Sequence, residues 1–452
     1  MRPSAAGRAT LDPMAQIPQS PIGRIMPRHA RKRITDALAD TRVVLVNGAR
    51  QAGKTTLVTQ VARDRSMAWH TFDSPDTLAG ARRDPVEFVR LAPTMVIDEV
   101  QRCPDVLLPI KELVDFEFVP GRFLLTGSAR VLGMRNLPDT LVGRMETVTL
   151  WPLSQGEIDG APDGFVDAVL HRDAEIFHSS ELTRADYVER VVRGGFPEAV
   201  ARAGRRRRAF HESYLADLIN RDVLQLSEIR HGHEMRRLLN LVAARSGQLL
   251  QPASLASLLR ISRPTVDHYL GLMEEVYLTA QTPSWSRNTT NRTVRATKAT
   301  FVDSGLAAAI LGLNETALAR PDSQLGGLLE GFVAMEIARQ LSWADARADM
   351  YHYRTKDGVE VDIVLETPDF QVVGIEVKAT STPRAEHFAG LRHLQARTGE
   401  DFLGGYLLHT GARTVSFGPR LRAVPLSALW ETPSGAALRR SSPRPATARL
   451  RQ

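Results

Sequence analysis

Residues 48–55 read Gly-Ala-Arg-Gln-Ala-Gly-Lys-Thr, and no other stretch restricts the fold as tightly. Gly48 and Gly53 let the backbone curl until successive N–H groups point at one anion. The apolar run Val43-Val44-Leu45-Val46 precedes the loop as a short buried strand, and Thr56 to Ala62 opens a helix. The helix N-terminus adds its positive end to the same anion. This strand–loop–helix predicts a nucleotide site contacted by Gly48, Ala49, Arg50, Gln51, Ala52, Gly53, Lys54, Thr55 and Thr56. ATP is the expected ligand. Lys54 is expected to reach its β- and γ-phosphates, and the Thr55 hydroxyl to be a ligand of Mg2+.

Such a site needs an acid at the end of a neighbouring strand. Met95-Val96-Ile97-Asp98-Glu99 supplies two. Asp98 is assigned to magnesium through water and Glu99 to polarising the attacking water; the bland alternative is an acidic turn after a core strand. A strand at 67–72 lies between the two motifs in the chain. It leaves room for an extra strand between the P-loop strand and the Asp98 strand. A fourth strand, Phe123-Leu124-Leu125, leads into Thr126-Gly127-Ser128. Ser128 or Thr126 is placed to sense the γ-phosphate, unless both merely end the strand. Val148-Thr149-Leu150 reads as a fifth strand. Arg144 either reaches a phosphate, of its own or a neighbouring subunit, or forms a surface salt bridge. Apolar strands alternating with helices indicate a parallel sheet covered on both faces.

With 452 residues, the chain has length for two to four domains. A single cysteine, Cys103, excludes an internal disulfide. No apolar run is long enough to span a bilayer, and the basic N-terminus lacks the apolar core of a secretory signal. The cytoplasm and no membrane partner are the expectation. Of the net +7, residues 1–33 carry +6 and residues 433–452 carry +5, which leaves −4 for the rest. The ends are therefore read as disordered tails, compatible with nucleic-acid contact or with simple solvation.

Several motifs together resemble a known family. They are the 48–56 loop, Ile-Asp-Glu-Val-Gln-Arg-Cys-Pro-Asp at 97–105, Leu-Leu-Thr-Gly-Ser-Ala-Arg at 124–130, Leu-Val-Gly-Arg at 141–144 and Leu-Trp-Pro-Leu-Ser at 150–154. Gly-Gly-Phe-Pro-Glu at 194–198, Asn-Arg-Asp-Val at 220–223, Leu-Leu-Glu-Gly-Phe-Val-Ala-Met-Glu at 328–336 and Gly-Ile-Glu-Val-Lys at 374–378 extend it. The chain resembles the prokaryotic AAA-type ATPases that carry a C-terminal domain of unknown function. The likeness runs from about residue 25 to 430 and implies ATP binding with slow hydrolysis. Ala49 stands where that family usually has proline.

From about 157 to 250 the pattern is helical. Two helices around 255–278 resemble a helix-turn-helix followed by a wing at 283–297. Ser262 caps the second helix, Pro264 suits its first turn, and Ile261 is read as a buried turn residue. Arg263, Thr265 and His268 would face a DNA groove. The competing reading is a structural module. The run Arg205 to Arg208 reads as a solvated helix face.

Strands return at 350–353, 359–365, 371–377 and 405–409. Asp362 sits on one, and Glu376 and Lys378 share a face of the next because strand side chains alternate. Asp followed by Glu-x-Lys resembles the core of restriction-endonuclease-like nucleases, in which the carboxylates bind a metal and the lysine orients water. Glu330 or Glu336 on the preceding helix would complete the metal shell; Glu336, on an apolar face, looks unpaired. The alternative is an ordinary exposed strand or an inactive scaffold.

The expected architecture is α/β. It comprises a basic tail (1–24), an AAA-type P-loop parallel-sheet domain (25–156), a helical region (157–249), a winged-helix-like segment (250–318), a nuclease-like domain (319–431) and an Arg-rich tail (432–452). Three functions stay open: an ATPase acting on a macromolecular partner such as double-stranded DNA or a protein, an ATP-gated DNA nuclease, and a nucleotide-liganded regulator. An oligomer is compatible with each.

Overall fold

The computed structural model describes residues 25–128, 141–171, 175–219, 232–288, 292, 297–320 and 322–433. Residues 1–24 and 434–452, the Asn-Arg-Asp-Val motif and part of the 283–297 loop lie outside the described residues. Chain contacts divide the protein into two compact units. The first ends at Pro152 and includes Glu275–Tyr277; the second holds the rest. The segments expected at 157–249, 250–318 and 319–431 fall in the second unit, apart from Glu275–Tyr277.

The first unit is built on five parallel strands: β1 (Val43–Asn47), β2 (Ala68–Thr71), β3 (Met95–Asp98), β4 (Phe123–Gly127) and β5 (Met145–Thr149). Their order across the sheet is β2-β3-β4-β1-β5. Side chains alternate between two covered faces along the strands, as a doubly covered sheet requires. Val43, Leu45, Met95, Ile97, Phe123 and Leu125 pack into one apolar layer. Val44, Val46, Val96 and Leu124 pack into the other, against the helices Ala30–Asp40 and Lys54–Asp64. A strand does separate the P-loop strand from the Asp98 strand, but it is β4. The 67–72 strand, β2, lies at the sheet edge instead. The fifth strand starts three residues earlier than its apolar end suggested, because Met145, Glu146 and Thr147 are only half-buried.

Arg31, Lys32 and Arg33, counted above with the basic N-terminal end, pair on this unit with Asp64, Asp36 and Glu146. These are exposed ion pairs, each worth at most about 1 kcal/mol.

In the second unit, a helix over Pro252–Leu259 ends at Arg260 in the left-handed conformation, φ 58°. The next helix, Arg263–Glu275, is capped as expected: Ser262 Oγ accepts from Thr265 N at 3.2 Å. Arg263 and His268 are exposed, Thr265 is half-buried, and Ile261 is half-buried rather than buried. An antiparallel pair follows, β6 (Thr279–Thr282) and β7 (Lys298–Phe301). In the arginine run, Arg205, Arg206 and Arg208 are exposed. Arg207 departs from the solvated-face reading: it is buried, and its Nε donates to the carbonyls of Ala199 and Arg202 at 3.1 and 3.0 Å.

The remaining strands are β8 (Asp349–Arg354), β9 (Glu360–Glu366), β10 (Val372–Lys378), β11 (Phe402–His409), β12 (Val415–Gly418) and β13 (Leu421–Pro425). They form one mixed sheet in the order β12-β13-β11-β10-β9-β8. The helix Ala389–Thr398 seats Leu391 and Leu394 in a core with Val361, Val364, Val372 and Leu407. No helix among the described residues is long and apolar enough to cross a membrane.

Candidate functional site

Strand β1 delivers the chain into the loop at Gly48, whose φ is 149°. A Cβ there would stand 2.1 Å from the Leu150 carbonyl oxygen, so only glycine fits against the segment after β5. Gly53 opens the following helix at φ 94°, and Gln51 is also left-handed at 58°. Lys54 is buried, and its ammonium donates to the carbonyls of Gly48 and Ala49 at 3.0 and 2.9 Å. The cation is thus held inside the loop that would receive phosphate. Arg28 braces the loop from outside, donating to the carbonyls of Ala52 at 2.7 Å and Trp151 at 2.6 Å.

Asp98 ends β3 and gathers three hydroxyls. Oδ1 accepts from Thr126 at 2.6 Å and from Thr55 at 3.2 Å, and Oδ2 accepts from Thr71 at 3.3 Å. Burial raises the Asp98 carboxyl above its ordinary range; the Thr126 hydroxyl opposes this, and the neighbouring Glu99 charge adds to it. Such a group costs stability when ionised. The folded state takes up its proton more readily than the unfolded chain, so this contribution improves as pH falls through the raised pKa. Asp98→Asn is therefore expected to raise the Tm of the nucleotide-free protein at pH 7. It should also cost about 10²-fold or more in ATP turnover, because a metal contact supplies several kcal/mol of charge stabilisation. Thermal unfolding and a phosphate-release assay on the variant check the two halves.

Glu99 is left-handed at φ 59°, and its N–H donates to Thr126 Oγ1 at 3.0 Å. Its Oε2 accepts from Ser128 Oγ at 3.2 Å and from the Gln101 amide. That amide also donates to Ser128 Oγ at 3.0 Å. Lys54, Thr55, Asp98, Glu99, Thr126 and Ser128 therefore collect at the C-terminal ends of β1, β3 and β4. Thr71 and Gln101 join them and were not singled out from sequence. The Thr55 hydroxyl beside the Asp98 carboxylate is a hard oxygen donor set, which fits Mg2+.

Arg144 is not brought to this site. Its backbone carbonyl pairs with Val43 N at 3.3 Å, at the start of β1, whereas the loop leaves the strand's other end. Its guanidinium forks onto Asp115, with Nη2 to Oδ2 at 3.1 Å. The expectation that Arg144 reaches its own nucleotide is corrected by this placement.

A second cluster lies in the mixed sheet. The antiparallel ladder of β9 and β10 stops at Ile363 and Ile375. Beyond it, Asp362 Oδ2 accepts from Val377 N at 2.9 Å. Lys378 donates to Glu376 Oε1 at 2.6 Å. Lys298, the first residue of β7, enters the same place. Its ammonium lies 2.5 Å from Glu330, 3.1 Å from Glu360 and 3.4 Å from Asp362. Burial would lower the Lys298 pKa, but these carboxylates more than reverse it and keep the amine charged. Burial and the Asp362 charge push Glu330 and Glu376 up, against their lysine partners. Glu336 is elsewhere and is not unpaired. It accepts from Arg339 Nη1 at 2.6 Å and from Gln155 N at 3.0 Å, which removes it from the expected metal shell. Among the described residues, no group of three or more His, Cys, Asp or Glu could hold a metal ion. The Lys298 ammonium stands among the carboxylates to which the resemblance assigns the ion.

Residues 40–159 match the AAA domain, and with the loop geometry this defines an AAA-type, ATP-binding P-loop ATPase domain. Residues 184–317 and 325–429 match two domains of unknown function, DUF8612 and DUF4143. The chain is 31% identical over 386 residues to the uncharacterized protein Rv2008c of Mycobacterium tuberculosis, covering 84% of this chain and 79% of that one. The uncharacterized protein Mb2031c of Mycobacterium bovis matches with the same figures. The chain belongs to the family of these mycobacterial proteins. Among solved structures, the Walker-type ATPase PABY2304 of Pyrococcus abyssi matches at a TM-score of 0.36 and 14% identity, over 63% of this chain and 96% of that one. At that score nothing rests on the likeness.

Proposed function

We propose that the protein is a Mg2+-dependent ATPase whose nucleotide cycle acts on a macromolecular partner. The observation that carries this is the convergence of Lys54, Thr55, Asp98, Glu99 and Ser128 at one end of a parallel sheet. Lys54 leaves the loop carbonyls and binds the β- and γ-phosphates as a point charge. Thr55 and Asp98 would hold Mg2+, which would neutralise charge on the phosphates. Glu99 accepts the proton of the attacking water, and Ser128 fixes that water against the γ-phosphate. Arg144, at the opposite sheet end, serves a nucleotide only if a second protomer presents one.

The partner reading rests on the paired helices Pro252–Leu259 and Arg263–Glu275 with their antiparallel hairpin, proposed here as a winged-helix-like module. Exposed Arg263 and His268 are its candidate contacts with double-stranded DNA. The proposed setting is the cytoplasm, in keeping with the single thiol of Cys103. ATP turnover with and without duplex DNA tests the reading. DNA is expected to raise turnover several-fold, less so in Arg263→Ala and His268→Ala. Turnover indifferent to DNA makes the partner a protein.

A further inference from the structure

The Asp362, Glu376 and Lys378 pattern resembles a site that holds a divalent cation, yet a cation is already built in. We propose that the Lys298 ammonium is the resident cation of this cluster, standing where a nuclease-like domain would bind its metal, so that the domain neither binds a divalent ion there nor cuts nucleic acid. The inference is independent of the nucleotide site.

Lys298 touches carboxylates from two elements, Glu330 on the helix Leu325–Leu341 and Glu360 and Asp362 on β9. Its side chain is only 5% exposed. Its backbone is fixed on both sides, since it pairs with Thr282 in the β6–β7 hairpin and bridges Leu249. The hairpin therefore holds the stem of this side chain at the cluster. A divalent ion on Asp362 would sit within a few ångströms of a buried like charge, where solvent screening is weak. Two of the other carboxylates have cations of their own, although Glu376 Oε2 is buried with no hydrogen-bond partner. Glu376 is paired with Lys378, and Glu360 is shared between Lys298 and Arg354. The cluster ties the hairpin, the long helix and the sheet together by charge, which suits a scaffold for a partner.

The test uses the full chain. Mn2+ binding without nucleotide is measured by titration and by the shift in Tm, and cleavage is followed on supercoiled plasmid with Mn2+ and ATP. Wild type and Asp362→Asn are expected to bind the same number of Mn2+ ions and to leave the plasmid intact. Lys298→Met keeps the stem and removes the charge. It is expected to gain a Mn2+-dependent Tm increase that Asp362→Asn removes again. If Lys298→Met does not fold, the comparison of wild type with Asp362→Asn still decides. One more Mn2+ ion on wild type than on Asp362→Asn overturns the proposal. So does plasmid cleavage lost in Asp362→Asn and Lys378→Ala, or a folded Lys298→Met protein that gains no Mn2+ site.

Discussion

Replacing Glu99 by glutamine is expected to lower kcat for ATP by about 10²–10⁴-fold, the usual worth of a positioned base. Affinity for ATP should stay within a few-fold. The substitution keeps the size of the side chain and its capacity to accept from Ser128 and Gln101. It leaves untouched the Glu99 N–H bond to Thr126 that sets the strand end. Only the ability to take a proton is removed. Lys54→Ala acts differently, because it deletes the charge that binds phosphate, so binding falls together with turnover. Nucleotide binding followed by fluorescence, beside steady-state phosphate release, separates the two. A Glu99→Gln protein with wild-type kcat would assign the base elsewhere.

Gly195→Ala is expected to destabilise the second unit by about 3 kcal/mol, which adds overpacking to disturbed buried hydrogen bonds. A Cβ on Gly195 would stand 2.1 Å from the Leu153 carbonyl oxygen, and backbone cannot give way as a flexible side chain would. The same residue is held by two bonds. Its N–H donates to Asp303 Oδ2 at 2.6 Å, and its carbonyl accepts from Leu153 N at 2.8 Å. Asp303 in turn caps the helix Ser304–Ile310 through Leu306 N at 2.9 Å. Gly271→Ala is the matched control. It lies inside the helix Arg263–Glu275 with nothing within 4 Å of an added Cβ, so alanine should stabilise by up to about 1 kcal/mol. Denaturant unfolding of both variants checks the contrast, and an unchanged Gly195→Ala midpoint would contradict the close approach.

The candidate nucleotide site stands out in the sequence because its chemistry is contiguous. Gly48 to Thr55 carries loop, lysine and hydroxyl in one run, and Asp98-Glu99 follows directly on its strand. The sheet was readable for the same reason, since Val43–Asn47 and Phe123–Gly127 are buried at every position. What failed depended on partners distant in the chain. Thr71 meets Asp98 across 27 residues, and Lys298 meets Asp362 across 64. No local pattern marks either. Arg144 was left open between a phosphate and a salt bridge because its place just before β5, beside the start of β1, follows from a register that sequence does not display. Glu336 is different: Arg339 lies one helical turn away, and the i,i+3 spacing was a usable signal that this carboxylate is paired. The antiparallel strand β12 is mostly exposed or half-buried, too weak a pattern to announce a strand.

The most direct test of the central claim is phosphate release from ATP by the purified full chain. It is measured with Mg2+, after chelation, and beside Lys54→Ala and Glu99→Gln. Release that requires Mg2+ and falls to background in both variants is the predicted result. Wild-type release no higher than that of the two variants would contradict hydrolysis at this site.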